Sequence, residues 1–420
     1  MKAPALGRAL AFLMAAAGLS ACVADPGAAG YNRPMGLNMA PDGSGSGPVP
    51  GTEAPGRRVA ILVPLTGPNA EVGQALLRAA QLSLDQPGGL PLDVRDTRGT
   101  PAGAAEAART TMAGGAGIIL GPLTAGETGA VAPLARAAGV PVLAFTSDVS
   151  QAQPGVWTLG ITPGQQVRRL VLAVRGEGKT RLGAVVPQNA FGDALAAGMA
   201  SSATETGLPP PQVLRYGNGF AGLNASLKQV SNYAARHGGQ EPQGRPGRPA
   251  DDAAPPAAPG SDAGPPVDAL LLGAAGQQLG QAAPLLAFYD IGPAQVRILG
   301  PATWAREATA LGALAGAWYA APDPSARVPF EQAYAGKYGA PPRDLASIAY
   351  DAAGVARASL DRIGYSAALL LRPQGYVGAD GPFRLLPDGQ VQRSLAIFEI
   401  DRGSSHIVQP AQGTLGVPGT

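Results

Sequence analysis

The sequence predicts an α/β fold in which parallel sheets are covered on both faces by helices. Two observations carry this. Short, wholly apolar segments such as residues 59–63 (VAILV) recur along the chain. Each is followed by a loop and then by a stretch whose apolar residues keep to one helical face. A third observation sets the scale: 420 residues suffice for two lobes of ordinary domain size. With 60 Gly, 42 Pro and only 14% charged residues, part of the chain has to be linker rather than core.

Taken in order, the chain opens with Lys2 and Arg8 around the apolar stretch ALAFLMAAAG (residues 9–18), which is too short to span a bilayer. Residues 1–21 are therefore expected to be a secretory leader. Next comes LSAC (residues 19–22), with the only cysteine of the chain, Cys22. The tetrapeptide resembles the lipobox of bacterial lipoproteins, whose cysteine is acylated and becomes the first residue after cleavage. That resemblance implies a lipid anchor at Cys22 in the periplasm. Val23, where an Asp would retain the protein, implies the outer membrane. The alternative is a free thiol beside an ordinary cleavage site. Each buried acyl CH₂ contributes about 0.8 kcal/mol, so several chains on one residue anchor stably. With no second cysteine there is no disulfide and no cysteine metal site.

Residues 22–56 are rich in Gly and Pro and lack apolar periodicity, so a disordered tether is expected, with a mean reach of roughly 30–35 Å. Then strand and helix alternate. Residues 59–63 read as a strand, and Val72, Leu76, Ala79 and Ala80 as the buried stripe of the next helix. Residues 118–120 are a second strand, ending at GPLTAGET (residues 121–128). The following helix is expected to bury Val131, Leu134, Ala135 and Ala138. Strands at 140–145, 182–186, 268–272 and 296–299 continue the series. Between them, residues 238–266 hold eight Pro and read as a disordered surface insertion, because the alternation resumes afterwards. Residues 403–420 read as a tail.

Ligands of parallel sheets bind beyond the carboxyl ends of the strands, where GPLTAGET lies. The pieces PLTGPNAEVGQA, IILGPLTAGETGAVAPLARAAGVPVLAFTSD, RLGAVVPQNAFGDALAAGM and GADGPFRLLPDGQVQRSLAIFEI, in this order, resemble type I periplasmic binding proteins of the leucine/isoleucine/valine type. The resemblance implies two Rossmann-like lobes with parallel sheets, joined by a hinge that the chain crosses three times. Lobe one would take residues 57–178 and 326–372, and lobe two 179–325 and 373–402. VRILGPATW, LGALAGAWYAAPDP and PDGQVQRSLAIFEI look closer to penicillin-binding protein activator lipoproteins, which keep this fold and contact a peptidoglycan synthase. The expected role is an activator-like partner of such a synthase; the alternative is the substrate-binding component of an ABC importer for an amino acid, amide or related solute, with a permease as partner.

An amino-acid ligand needs its carboxylate and ammonium paired on burial. By resemblance, the first-lobe loops supply hydroxyls and amides. Thr66, Thr124, Thr146, Ser147 and Asp148 stand at such places, but Ala125 replaces the serine of amino-acid-binding relatives. Phe191 replaces a second-lobe tyrosine, and Gln278 falls where an acid would pair with the ammonium. A neutral Gln cannot balance an ammonium, so a standard amino acid is not expected, whereas a neutral or anionic small ligand remains compatible. The competing reading of the four hydroxyls is ordinary loop and cap chemistry.

Other chemistries are poorly supported. The net charge of +2 has no basic block, against nucleic-acid binding. GEGKT (residues 176–180) ends like a phosphate loop, but Ala173 stands where that motif needs Gly. His237 and His406, the only histidines, are too few and too peripheral for a His-based site. No GxSxG, metal-ligand spacing or carboxylate pair suggests an enzyme, so neither a cofactor nor a metal is expected. Trp304, Trp318 and Tyr319 read as core first and partner patch second.

Overall fold

The computed structural model describes residues 56–85, 90–217, 219–239 and 264–412. The expected leader, Cys22, the expected tether up to residue 55, residues 240–263 of the expected insertion and the last eight residues lie outside the described residues.

The first sheet is built by β1 (Arg58–Val63), α1 (Ala70–Leu84), β2 (Leu92–Asp96), α2 (Pro101–Ala113), β3 (Ala116–Leu120), α3 (Ala125–Ala137), β4 (Val142–Ala144) and β5 (Val156–Thr158). Its five strands are all parallel, in the order β2-β1-β3-β4-β5. The apolar run of β1 follows from burial on both faces. Val59, Ile61 and Val63 meet Leu76, Ala79 and Ala80 of α1, while Ala60 and Leu62 meet Ala104 and Ala108 of α2 and Val131 of α3. Ala138, expected in this core, is the exposed C-cap of α3.

A second unit follows: α4 (Pro163–Gly176), β6 (Leu182–Pro187), α5 (Ala190–Glu205), β7 (Gln212–Tyr216), α6 (Phe220–Ser231), α7 (Tyr233–Arg236), β8 (Ala269–Leu272), α8 (Gly276–Phe288), β9 (Arg297–Gly300), α9 (Trp304–Glu307) and β10 (Trp318–Ala321). The chain then returns to the first unit with α10 (Pro324–Tyr338), α11 (Ala346–Ser359) and α12 (Ala367–Leu370). A three-stranded antiparallel sheet comes next, β11 (Tyr376–Gly378), β12 (Gly381–Leu385) and β13 (Val391–Arg393). Finally β14 (Ala396–Ile400) and β15 (Ser405–Gln409) complete the second sheet, ordered β15-β14-β10-β9-β8-β6-β7. Its central strands are parallel, and β14 and β15 are antiparallel additions. The architecture is thus α/β with two lobes.

Three spans differ from the expected division. Residues 163–176, expected in lobe one, form α4, whose Val167, Leu170 and Val171 pack instead with Leu182, Ala184 and Val186 of β6. Amphipathicity says that a helix buries one face but not which sheet receives it. Of residues 373–402, expected in lobe two, β14 joins the second sheet, but Tyr376, Phe383, Leu385 and Val391 join the first-lobe core with Ile61 and Leu143. The hairpin turn after β12 also docks on β5: Gly389 O accepts from Thr158 N (3.1 Å) and Leu386 O from Trp157 Nε1 (2.7 Å). Residues 403–412, read as tail, carry β15, whose Val408 packs against the second-lobe core. The chain therefore passes between lobes near residues 160, 322 and 394. Trp304, Trp318 and Tyr319 are buried.

Candidate functional site

The expected cleft residues sit on loops or first helical turns that follow the carboxyl ends of strands. Thr66 follows β1 and is exposed. Its hydroxyl donates to Asp96 Oδ2 (2.6 Å), while Leu65 N donates to Asp96 Oδ1 (2.8 Å). Arg98 N also donates to Asp96 Oδ1, at 2.8 Å. Burial pushes the Asp96 carboxyl up, but the Thr66 hydroxyl and the Arg98, Leu65 and Thr66 amides together hold it below its usual value.

GPLTAGET forms the entry to α3. Thr124 is its N-cap, in a reciprocal capping box: Glu127 N donates to Thr124 Oγ1 (3.3 Å) and Thr124 N to Glu127 Oε2 (3.0 Å). The Thr124 hydroxyl donates to the same Glu127 oxygen (2.8 Å). Glu127 is fully buried, and its Oε1 has no hydrogen-bond partner among the described residues. Ala125 opens the helix and contributes no polar group.

After β4, Asp148 N donates to Thr146 Oγ1 (3.1 Å), and Asp148 Oδ1 accepts from Ser150 N (2.9 Å). Ser147 is exposed between them. On the second lobe, Phe191 packs against the α4–α5 core. Gln278 lies in the first turn of α8, and its Oε1 accepts from Tyr216 OH (3.2 Å). Burial pushes the Tyr216 phenol up to about 12, so it is a hydrogen-bond donor at any physiological pH. Beside it, Gly276 N at the start of α8 donates to Glu307 Oε2 (2.7 Å).

Four of the expected residues meet in one groove of about 1510 Å³: Thr146, Ser147, Asp148 and Phe191. Thr66, Thr124, Ala125 and Gln278 do not line it. The groove also takes in arginines that sequence reasoning did not single out, Arg168 and Arg169 of α4 and Arg384 of β12. The Arg168-Arg169 dipeptide was visible, but nothing local tells which arginine on a helix faces a groove. The partners Asp96, Glu307 and Tyr216 were missed for a similar reason, since each lies about 30 or more residues from the group it engages. Among the described residues no cluster of His, Cys, Asp or Glu could hold a metal ion, and no helix is long and apolar enough to cross a membrane.

Two α/β lobes linked by three passages of the chain, with loops at strand ends lining the space between, define a bilobed binding protein. The chain belongs to the periplasmic binding protein family, which matches residues 57–405. Its fold is similar to that of a putative branched-chain amino acid ABC transporter from Rhodospirillum rubrum, with 20% identity and a TM-score of 0.62, covering 84% of this chain and 100% of that one. It is equally similar to the C-domain of LpoA (YraM) from Haemophilus influenzae, a regulator of PBP1A, with 16% identity and a TM-score of 0.62, covering 84% and 99%. Of full-length LpoA the match spans 58%. A solute-binding protein of an R. palustris ABC transporter, in complex with benzoate, matches with 17% identity and a TM-score of 0.51, covering 86% and 98%. No curated protein sequence matches. At these identities the likeness is one of fold.

Proposed function

We propose that this chain is an envelope lipoprotein, acylated at Cys22, that acts as an activator-like partner of a peptidoglycan synthase rather than as a receptor for an amino acid. One observation carries the reading: the chain's own carboxylates already occupy the donors that a ligand carboxylate would use. Asp96 engages Leu65 N and Thr66, and Glu127 engages Thr124. A ligand carboxylate would have to displace these charged hydrogen bonds, each contributing about 1.5–3 kcal/mol. On the other lobe Gln278 is neutral and held by Tyr216, so an ammonium would be buried without a counter-charge. The fold likeness to the LpoA C-domain, a PBP1A regulator, agrees with this role.

The second reading is an importer's binding component for an amino acid, amide or related solute; the exposed Ser147 favours it, and the benzoate-bound relative, whose ligand has no ammonium, favours a solute other than an amino acid. The two are separated by the mature chain carrying Cys22→Ser. Its melting temperature is scanned against amino acids, amides and aromatic carboxylates, and its effect on synthase rate is measured in parallel. Ligand at a hundred times its dissociation constant adds about 2.7 kcal/mol, a clear shift. The activator reading expects no shift and a faster synthase. A shift with a free amino acid overturns it. Loss of membrane association in Cys22→Ala checks the anchor.

A further inference from the structure

The groove over α4 runs past the expected cleft residues, and one of its arginines, Arg169, meets only neutral acceptors. The carboxylates that line it are each engaged. Glu205 is gripped by Arg168, with Arg168 Nε 2.8 Å from Oε2. Glu177 is gripped by Arg297 through two hydrogen bonds, at 3.0 and 3.2 Å. Asp148 Oδ1 caps Ser150 N. Arg169 has no such partner: its Nε donates to Leu395 O (2.8 Å) and its Nη1 to Gln409 Oε1 (3.1 Å), both neutral acceptors. Among the described residues Arg169 makes no ion pair, and its Nη2 makes no hydrogen bond.

Across the groove, Arg384 on β12 is buried, with Nε on Gln392 Oε1 (2.9 Å). Burial, and then the neighbouring charge of Arg168, hold its guanidinium below the usual arginine range; burial does the same to Arg169. A desolvated guanidinium with only neutral partners, as Arg169 is, raises the energy of the empty groove, and an anion placed beside it lowers it. Apolar contact is also on offer: Val149 is 42% exposed and Leu172 36%, both on the groove wall. At about 1510 Å³ the space exceeds the roughly 300–1,000 Å³ that encloses a small ligand, and suits a length of chain.

We propose that this groove binds an acidic, partly apolar peptide segment of a protein partner, with one carboxylate seated on Arg169. The proposal rests on the reading of the chain as a partner of another protein. The charge pattern selects carboxylates, and the exposed Val149 and Leu172 select apolar residues beside them.

The test uses the mature chain with Cys22→Ser and a fluorescein-labelled peptide of about twelve residues alternating glutamate and leucine. A matched peptide with lysine in place of glutamate is the control. Anisotropy should report binding of the glutamate peptide alone, weakened by salt. Arg169→Gln should weaken it about tenfold or more, as loss of one charge-assisted hydrogen bond implies. Because Arg169 also holds Leu395 O, a second measurement leaves it intact. An environment-sensitive dye on Leu172→Cys should respond to the glutamate peptide, and the same dye on Ile363→Cys, outside the groove, should not. Equal binding of both peptides overturns the proposal, as does unchanged affinity in a folded Arg169→Gln variant or an equal response at both dye positions. Synthase stimulation without peptide binding removes the groove and leaves the role. Peptide binding without stimulation leaves the groove and removes the role.

Discussion

Breaking the ion pair between Asp351 and Arg393 should be among the most damaging single changes in the molecule. The two side chains are 0% and 1% exposed, with Arg393 Nη1 3.0 Å from Asp351 Oδ2. Asp351 sits on α11 and Arg393 on β13. The second Arg393 nitrogen, Nη2, reaches Leu159 O (3.0 Å), where the chain first leaves lobe one. Asp351 Oδ1 accepts from Ala379 N at 2.6 Å. Arg393→Met would leave a carboxylate buried without its counter-charge and Leu159 O without its donor. Removing one partner of such a pair costs about 3–5 kcal/mol. The double variant Asp351→Leu/Arg393→Met should recover part of that loss, because it leaves no unpaired charge, while Ala379 N and Leu159 O stay without their side-chain partners.

The same pair sets a pH dependence. Burial raises the Asp351 carboxyl to about 6, against the opposing pull of Arg393. A carboxyl whose folded value lies above its unfolded value of about 3.9 binds more protons when folded between those limits. Its contribution to stability therefore falls as pH rises from about 4 to about 6, by roughly 3 kcal/mol in all. Asp351→Asn should flatten that window. Urea unfolding of the four members of the cycle between pH 4 and 8 measures both effects. Single variants costing less than about 1 kcal/mol, or a double variant as unstable as the two singles added together, would refute the reasoning.

Gly389 has φ +85°, and a Cβ there would lie 2.2 Å from Gln153 N, so Gly389→Ala should lower the thermal midpoint of the first lobe by several degrees, read by near-UV circular dichroism. Thr124→Ala removes the side-chain cap of α3, at a cost of about 1 kcal/mol by urea titration, without creating amino-acid binding. Arg306 and Asp344 pair across the lobes with both side chains more than 70% exposed, so Arg306→Ala should cost under about 1 kcal/mol, with a difference from wild type that disappears in high salt.

The sequence was most legible where burial is two-sided. β1, β3, β4, β6, β8 and β9 are apolar runs because both faces of each pack against helices. The edge strands β2 and β7 read LDVRD and QVLRY, half-buried and charged, and gave no such signal. β5 is three residues long, too short for periodicity to register. The loops of the cleft were recognisable from GPLTAGET and its neighbours, but their chemistry was not. Thr66 looks like a free hydroxyl until Asp96, thirty residues later, is seen beneath it. Arg169 looks like any helical arginine until β14 and β15 place neutral acceptors around it. Pairings of this kind depend on tertiary approach, which local pattern does not encode.

The interleaving of the two lobes has a consequence for how the molecule comes into being. α1 packs its apolar face on α11, which is some 270 residues further along. β10 waits for β14, which arrives only after three helices and a separate sheet have been laid down. A chain emerging from a ribosome or a translocation pore therefore cannot finish either half early. Both reach completion only after β14 and β15 have emerged and β14 pairs with a strand made long before. Closing such distant contacts is slow. Through most of its emergence the growing polypeptide carries an unsealed hydrophobic flank, and a chaperone that covers the α1 face until residues 346–359 appear would meet a need written into the order of the strands.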